Sequence, residues 1–347
     1  MAGFISATVG FAAPIALTAM AFGSYLHGVV ALSNPFALSL AVVWLTALVH
    51  LSGLRTGSVF QNISTLFKIL LIGALIVTGM FLVPHQPITF FPQPGDGASI
   101  FSGAFAVALV YVMYSYSGWN AAVYITSEIE RPEVNVPRAL FVGTLIVLVI
   151  YAALNAVFLA TTPLSEMTGK LEVALVAGKH IFGEQGGRVV GGIICLGLIS
   201  AISSMAWIGP RVTMAMGEDH WLLRVLGRKN SKGVPVAAIL LQLLIVNILL
   251  LRKSFEKVVI YIQFSLLLCA LLTVLGVIVL RLRHPEIVRP YRVWAYPLPP
   301  LIFAGVTVWM MIYLLRSHLT ESLFGLGTMV IGLLFYFVSG KRSVRAS

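Results

Sequence analysis

The sequence predicts an all-α polytopic membrane protein, and three observations carry the prediction. Only 10% of the residues are charged, against about 25% in an ordinary soluble domain. Hydrophobic residues make up 59%, which leaves a 347-residue chain too few polar side chains to face water. Lipid is then the solvent for most of the surface. The apolar residues also come in runs of about 20, the length of a helix that crosses the bilayer core.

Residues 1–54 contain no Asp, Glu, Lys or Arg, enough for two spans, 2–26 and 35–54. The polar turn from His27 to Pro35 divides them. A connector opens with Arg55-Thr56-Gly57-Ser58. The next span, 62–83, holds one internal charge, Lys68. Residues 84–97 are rich in Pro and Gly and read as a loop. The run 98–127 is long enough to be tilted or broken. Residues 128–138, with Pro132 and Pro137, form a polar connector before a span at 139–161. Residues 163–188 are polar enough for a loop with a short helix. Further spans follow at 189–209, 235–251, 258–280, 293–315 and 323–339, about ten in all.

An even number of spans puts both termini on one side. The connectors on that side carry Arg224, Arg228, Lys229 and Lys232, then Arg281, Arg283, Arg289 and Arg292, then the tail Lys341, Arg342 and Arg345. Cations there outnumber those on the opposite side by about two to one, so the positive-inside rule places both ends in the cytoplasm of a cell membrane. The net charge of +11 is thereby a statement about topology and membrane lipid. It does not point to nucleic acid. Cys195 and Cys269 both lie inside apolar runs, which excludes a disulfide framework. No basic stretch precedes the first run, so no cleaved leader is expected. An embedded enzyme needs metal-ligand or nucleophile constellations, and neither His-Glu-x-x-His nor a paired set of intramembrane acids is present. No catalytic residue, cofactor or metal is expected. A channel reading lacks a filter motif.

Within 98–127 sits a polar cluster, Tyr114-Ser115-Tyr116-Ser117-Gly118-Trp119-Asn120. Polar groups at that depth are costly unless partnered, and Gly118 weakens a helix by about 1 kcal/mol relative to Ala. Two readings stand. An unwound segment would free backbone groups toward a cavity, the construction of a transporter substrate site. A continuous helix would use its Ser and Asn to hydrogen-bond neighbouring helices.

Tyr-Ser-Gly-Trp-Asn at 116–120, followed by Ser127-Glu128-Ile129-Glu130-Arg131-Pro132 and Val136-Pro137-Arg138, resembles the sixth helix and following loop of the amino acid–polyamine–organocation (APC) permeases. The Gly-Trp-Asn form is most similar to the L-type amino-acid transporter branch. Three more resemblances follow the same order. Gly53-Leu54-Arg55-Thr56-Gly57 through Lys68 is similar to the start of the family's fifth helix. Pro210-Arg211 through Gly217-Glu218-Asp219 and Gly233-Val234-Pro235 is similar to the junction of the eighth and ninth. Arg281-Leu282-Arg283-His284-Pro285-Glu286 is similar to the end of the tenth. The resemblance implies a LeuT-like inverted-repeat transporter fold. Residues 1–97 would be a three-helix remainder of the first repeat, 98–283 a second five-helix repeat, and 284–347 two C-terminal helices and a tail. The family's first two helices, including a Gly-rich break, find no counterpart before the first span. The expectation is an N-terminally truncated chain, through a mis-assigned start or as a non-transporting fragment.

The resemblance also implies roles. Carbonyls near Tyr114, Ser115 and Ser117 would receive a substrate's α-amino group. Tyr114 would close over it as an aromatic gate, or simply pack between helices. Gly118 would allow the unwinding, and Trp119 and Asn120 would line the side-chain pocket. With no acid beside Gly118, neutral amino acids are expected as substrate, moved by proton coupling or exchange. In some sodium-independent relatives a Lys at the position of Lys68 replaces a sodium ion's charge. An intramembrane Lys is a functional candidate, but its stem could also reach the headgroups. The loop at 27–35 has no Cys, so no disulfide-linked heavy chain is expected.

Weaker signals remain. Gly187 and Gly191 have the spacing of close helix packing. Ser203 and Ser204 could line a pathway or bond between helices. His50 is expected at the interface. Asn62-Ile63-Ser64 fits a glycosylation pattern but lies on the cytoplasmic side, where it is discounted.

Overall fold

The structure is a computed structural model and describes residues 2–30, 34–52, 58–89, 91–118, 129–289 and 291–339. The secondary structure among the described residues is helical, with no strand. Helix α1 (Ala2–Ile5) runs through a π-helical turn at Ser6–Ala12 into α2 (Ala13–Val30). Then come α3 (Pro35–Leu51), α4 (Ser58–Phe81), the short α5 (Asp96–Ile100), α6 (Gly103–Ser115), α7 (Pro132–Thr161) and the short α8 (Leu164–Met167). The chain ends with α9 (Val173–Asp219), a 3₁₀ turn at Trp221–Leu223, α10 (Val236–Leu250), α11 (Phe255–Arg283), α12 (Leu298–Ser317) and α13 (Leu319–Ser339).

Five of these stretches are long and apolar enough to cross a membrane: Gly3–Val30, Pro132–Thr161, Val173–Asp219, Phe255–Arg283 and Leu298–Ser317. Five shorter apolar helices accompany them. Each coincides with one of the predicted spans, and the protein is an all-helical, multi-pass membrane protein. Three boundaries differ from the sequence reading. The connector at 128–138 is helical from Pro132 onward. Pro132 sits where the backbone N–H has no partner anyway, and Pro137 gives up a single intrahelical bond. The loop at 163–188 is helical from Val173, with the break confined to Gly183 (φ 75°, ψ 177°). Only glycine adopts that conformation freely. The run at 98–127 is not one helix, because α6 stops at Ser115.

The chain forms two compact units. One comprises Met1–Ile88, Leu154–Val258 and Gly327–Ser347; the other comprises Thr89–Ala153 and Val259–Leu326. In the first, α2, α3, α9 and α10 share a core built on Ala16, Ala19 and Phe22, with Val43, Ala47, Ile202 and Val246. Small residues set the helix spacing. A Cβ at Gly23 would lie 2.2 Å from the backbone oxygen of Pro35, at the start of α3. The expectation for Gly187 and Gly191 agrees: a Cβ at Gly191 would meet Leu175 at 2.4 Å and Val29 at 2.6 Å. The π-helical turn is closed by the Ala13 N–H on the Thr8 carbonyl. Phe4, ahead of it, stacks on Phe335 of α13 with centroids 5.7 Å apart.

His50 departs from its expected interfacial place. It is 5% exposed, with Nε2 at 3.2 Å from Ser203 Oγ and its ring 5.8 Å from that of Trp207. A polar pair between helices explains both residues. Ser204 bonds back to the Ser200 carbonyl at 2.9 Å.

Candidate functional site

The end of α6 is built by its own last turn. Ser102 caps the start, accepting from the Phe105 N–H at 3.2 Å. The run Gly103–Ser115 is apolar until Tyr114. At the end, Ser115 Oγ donates to the Tyr111 carbonyl at 3.0 Å, a local bond that competes with helix continuation. The Tyr116 N–H reaches the Val112 carbonyl at 3.2 Å and the Ser117 N–H the Tyr114 carbonyl at 3.0 Å, so the helix closes in a tight turn. Gly118 then takes φ +96°. Among the described residues nothing lies within 4 Å of where its Cβ would be. The glycine is therefore needed for backbone conformation, not for space.

A helix end leaves carbonyls without intrahelical partners, and inside an apolar run that is costly. Neighbours in the same unit satisfy part of the need. Tyr151 of α7 donates its hydroxyl to the Ser115 carbonyl at 3.2 Å, and its ring meets Tyr116 edge-on with centroids 5.2 Å apart. One turn earlier, Gln263 of α11 donates Nε2 to the Val110 carbonyl at 3.3 Å, although that carbonyl lies inside the helix. Gln263 is 2% exposed and its Oε1 has no partner among the described residues. Sequence reasoning did not single out Tyr151 or Gln263. The available signal was a polar group inside an apolar run.

Among the described residues the Tyr114 carbonyl meets the N–H groups of Tyr116 and Ser117, while the Ser115 carbonyl accepts from Tyr151 alone, leaving that oxygen a second lone pair. Tyr114 is half-buried; Ser115, Ser117 and Gly118 are exposed. Trp119 and Asn120 lie outside the described residues, as do Arg55, Thr56 and Gly57, the segment 121–128 and the tail cations.

Lys68 belongs to the other unit. On α4 its neighbours Leu66, Phe67, Ile69 and Leu70 are all more than half exposed, whereas Lys68 is half-buried. It falls in the helical stripe of Leu71 and Leu75, residues of a packed cluster. Its stem lies against α9 at Gly197, where a Cβ would come 2.9 Å from Lys68 Cε. No acidic side chain pairs with it among the described residues. Thus Lys68 shares a helix seam with Gly197, while the Tyr114–Gly118 turn is braced by Tyr151 of α7 and the body of α6 by Gln263 of α11.

Ten apolar helices among the described residues, one of which stops within its apolar run, define a polytopic α-helical membrane protein. The particular family follows from comparison with known proteins. The sequence profile of the amino acid permease family matches residues 1–335, and the chain belongs to that family. It is 26% identical to the human b(0,+)-type amino acid transporter 1 over 303 residues, which is 87% of this chain and 62% of that protein. It is likewise 26% identical to the mouse large neutral amino acids transporter small subunit 2 over 295 residues, 84% of this chain and 55% of that protein. The chain spans a little over half the length of these curated relatives.

Proposed function

We propose that the chain is a secondary transporter of amino acids, neutral L-amino acids in particular, working by proton coupling or exchange. The observation that carries this reading is the end of α6 at Ser115, inside an apolar run and followed by left-handed Gly118. Carbonyl dipoles at such a helix end suit a cationic group such as a substrate ammonium, since the C-terminal end of a helix carries partial negative charge, and this supports the reading. Family membership supports the same reading, as do the names of the relatives.

Within it, the carbonyls of Tyr114, Ser115 and Ser117 receive the α-amino group and Tyr114 closes over the substrate. Trp119 and Asn120 shape the pocket, and Lys68 carries the coupling charge. Both termini are cytoplasmic, and the division 1–97, 98–283 and 284–347 follows inverted repeats. No disulfide-linked heavy chain is needed, since the loop at 27–35 has no Cys.

The test is uptake by proteoliposomes holding the purified chain. Labelled neutral, cationic and anionic amino acids are offered with and without an inward proton gradient or internal unlabelled substrate. Saturable uptake of neutral amino acids, stimulated by one of the two, is expected. Monodisperse, folded protein that moves none of them overturns the proposal for this chain.

A further inference from the structure

The connector between α11 and α12 is basic, hollow and flanked by exposed apolar side chains, a combination that the transport reading does not use. A cavity of about 520 Å³ opens there. Arg281, Arg289 and Arg292 line it together with a single acid, Glu286.

The three arginines differ in what they already do. Arg289 is committed to the backbone: it donates to the carbonyls of Leu280 at 3.1 Å, His284 at 2.8 Å and Ile287 at 2.7 Å, with a longer contact to Pro285 at 3.4 Å. It thereby caps the C-terminus of α11 and folds residues 284–289 back over it. Glu286 is held by His284, Nδ1 to Oε1 at 3.0 Å. Arg281 stands apart. Its guanidinium lies 3.9 Å from the centre of the Tyr296 ring, which fixes its plane. Its Nε is shielded from solvent and has no hydrogen-bond partner among the described residues. An unmet donor on a charged group is costly, and an entering acceptor oxygen would relieve it. Arg292 is exposed on the same wall.

The surroundings identify the acceptor. Val288 is 87% exposed, Trp294 85% and Tyr291 60%. On a connector in water such a group would be unfavourable, but at the headgroup level of a bilayer Trp and Tyr are at home. The adjoining face of α11 exposes Leu272, Val279 and Leu282, a surface for acyl chains. Helix capping and topology account for basic residues here in general. They do not account for a stacked guanidinium with a shielded, unmet Nε beside an open cavity.

We propose that this connector binds the phosphate of an anionic phospholipid, with Arg281 and Arg292 donating to its two non-bridging oxygens. A planar guanidinium suits that pair of acceptors. Two uncommitted cations favour a headgroup with net negative charge. A choline or ethanolamine ammonium would find the one acid, Glu286, already paired.

The full chain, purified in non-ionic detergent, is titrated with phosphatidylglycerol or phosphatidylcholine and the bound lipid is read by native mass spectrometry. Phosphatidylglycerol is expected to bind at least about tenfold more tightly. The double variant Arg281→Gln/Arg292→Gln should lose that preference, while Arg224→Gln/Arg228→Gln on a different connector should keep it. Unchanged phosphatidylglycerol binding by the first variant overturns the proposal. So does displacement of the lipid by inorganic phosphate at equal concentration, which would mark a free-anion site. If the double variant does not fold, the parent chain decides. In nanodiscs, brominated phosphatidylglycerol should quench the Trp294 fluorescence (parent minus Trp294→Phe) more than brominated phosphatidylcholine does. Equal quenching rejects the site.

Discussion

The helical stretch Gly3–Val30 and helix α7 are both apolar enough to span a bilayer, and α7 is the more hydropathic of the two. Yet half of the apolar window in Gly3–Val30 is buried inside the protein and only 6% of that in α7. In water the more apolar helix would be the inner one. In lipid the hydrophobic effect does not distinguish inside from outside, and helices associate through close packing of small side chains. The small Ala13, Ala16, Ala19 and Gly23 of α2 go inside beside the larger Ile15, Leu17, Phe22 and Tyr25. Leu145, Ile146, Leu148 and Val149 of α7 stay exposed. The packed helix is recognised by the small side chains it interleaves with its large buried ones.

The sharpest way to break this comparison is to add volume to the packed helix and remove it from the exposed one. Gly23→Leu forces atoms onto the Pro35 backbone and is expected to cost about 3 kcal/mol or more, with loss of the monodisperse peak in size-exclusion chromatography. Leu148→Ala should shift the melting temperature by no more than about 0.5 kcal/mol warrants. Equal damage from the two would refute the small-residue account. Next in size is Gly118→Val at the end of α6. The left-handed backbone costs an L-residue about 1–2 kcal/mol, which the fold should survive, while amino-acid uptake falls at least about tenfold. Retained uptake in a folded Gly118→Val protein would remove the turn from the site.

Lys68→Ala is expected to act more mildly, because its stem rests on Gly197 and no acid among the described residues is left stranded. Uptake should drop severalfold and lose its dependence on pH, and full, pH-dependent uptake would take Lys68 out of the mechanism. The smallest effect belongs to the exposed helix. At Gly143 of α7, a Cβ would meet nothing within 4 Å among the described residues. Gly143→Ala should therefore stabilise the protein by up to about 1 kcal/mol through helix propensity alone, measured by thermal denaturation in detergent.

Much of this architecture was legible because a bilayer-length run and its polar connectors are coarse signals. A helix end near Gly118 was one of two readings left open by the polar cluster with a glycine, at a depth where neither is comfortable. The bond donors around it were not legible. Tyr151 and Gln263 sit in other helices, far away in sequence, and only the folded chain brings them to the Ser115 and Val110 carbonyls. Position in a run misplaced His50, since distance from a span's end says nothing of which side of the helix meets a partner. The kink at Gly183 was hidden among other glycines of 178–192, all alike in composition and only one of them left-handed.

The wide turn at Ser6–Ala12 has its own consequence. Each residue added to a helix advances its faces by about 100°, and a π-helical turn is such an added residue held in place. One rod can thus present Phe4 to Phe335 before the turn and its alanine stripe to α3 and α9 after it. Excising a single residue there would leave the rod intact yet turn its first segment away from its partner. Where helices cannot bend without cost, a slipped register lets a single span answer to two sets of neighbours.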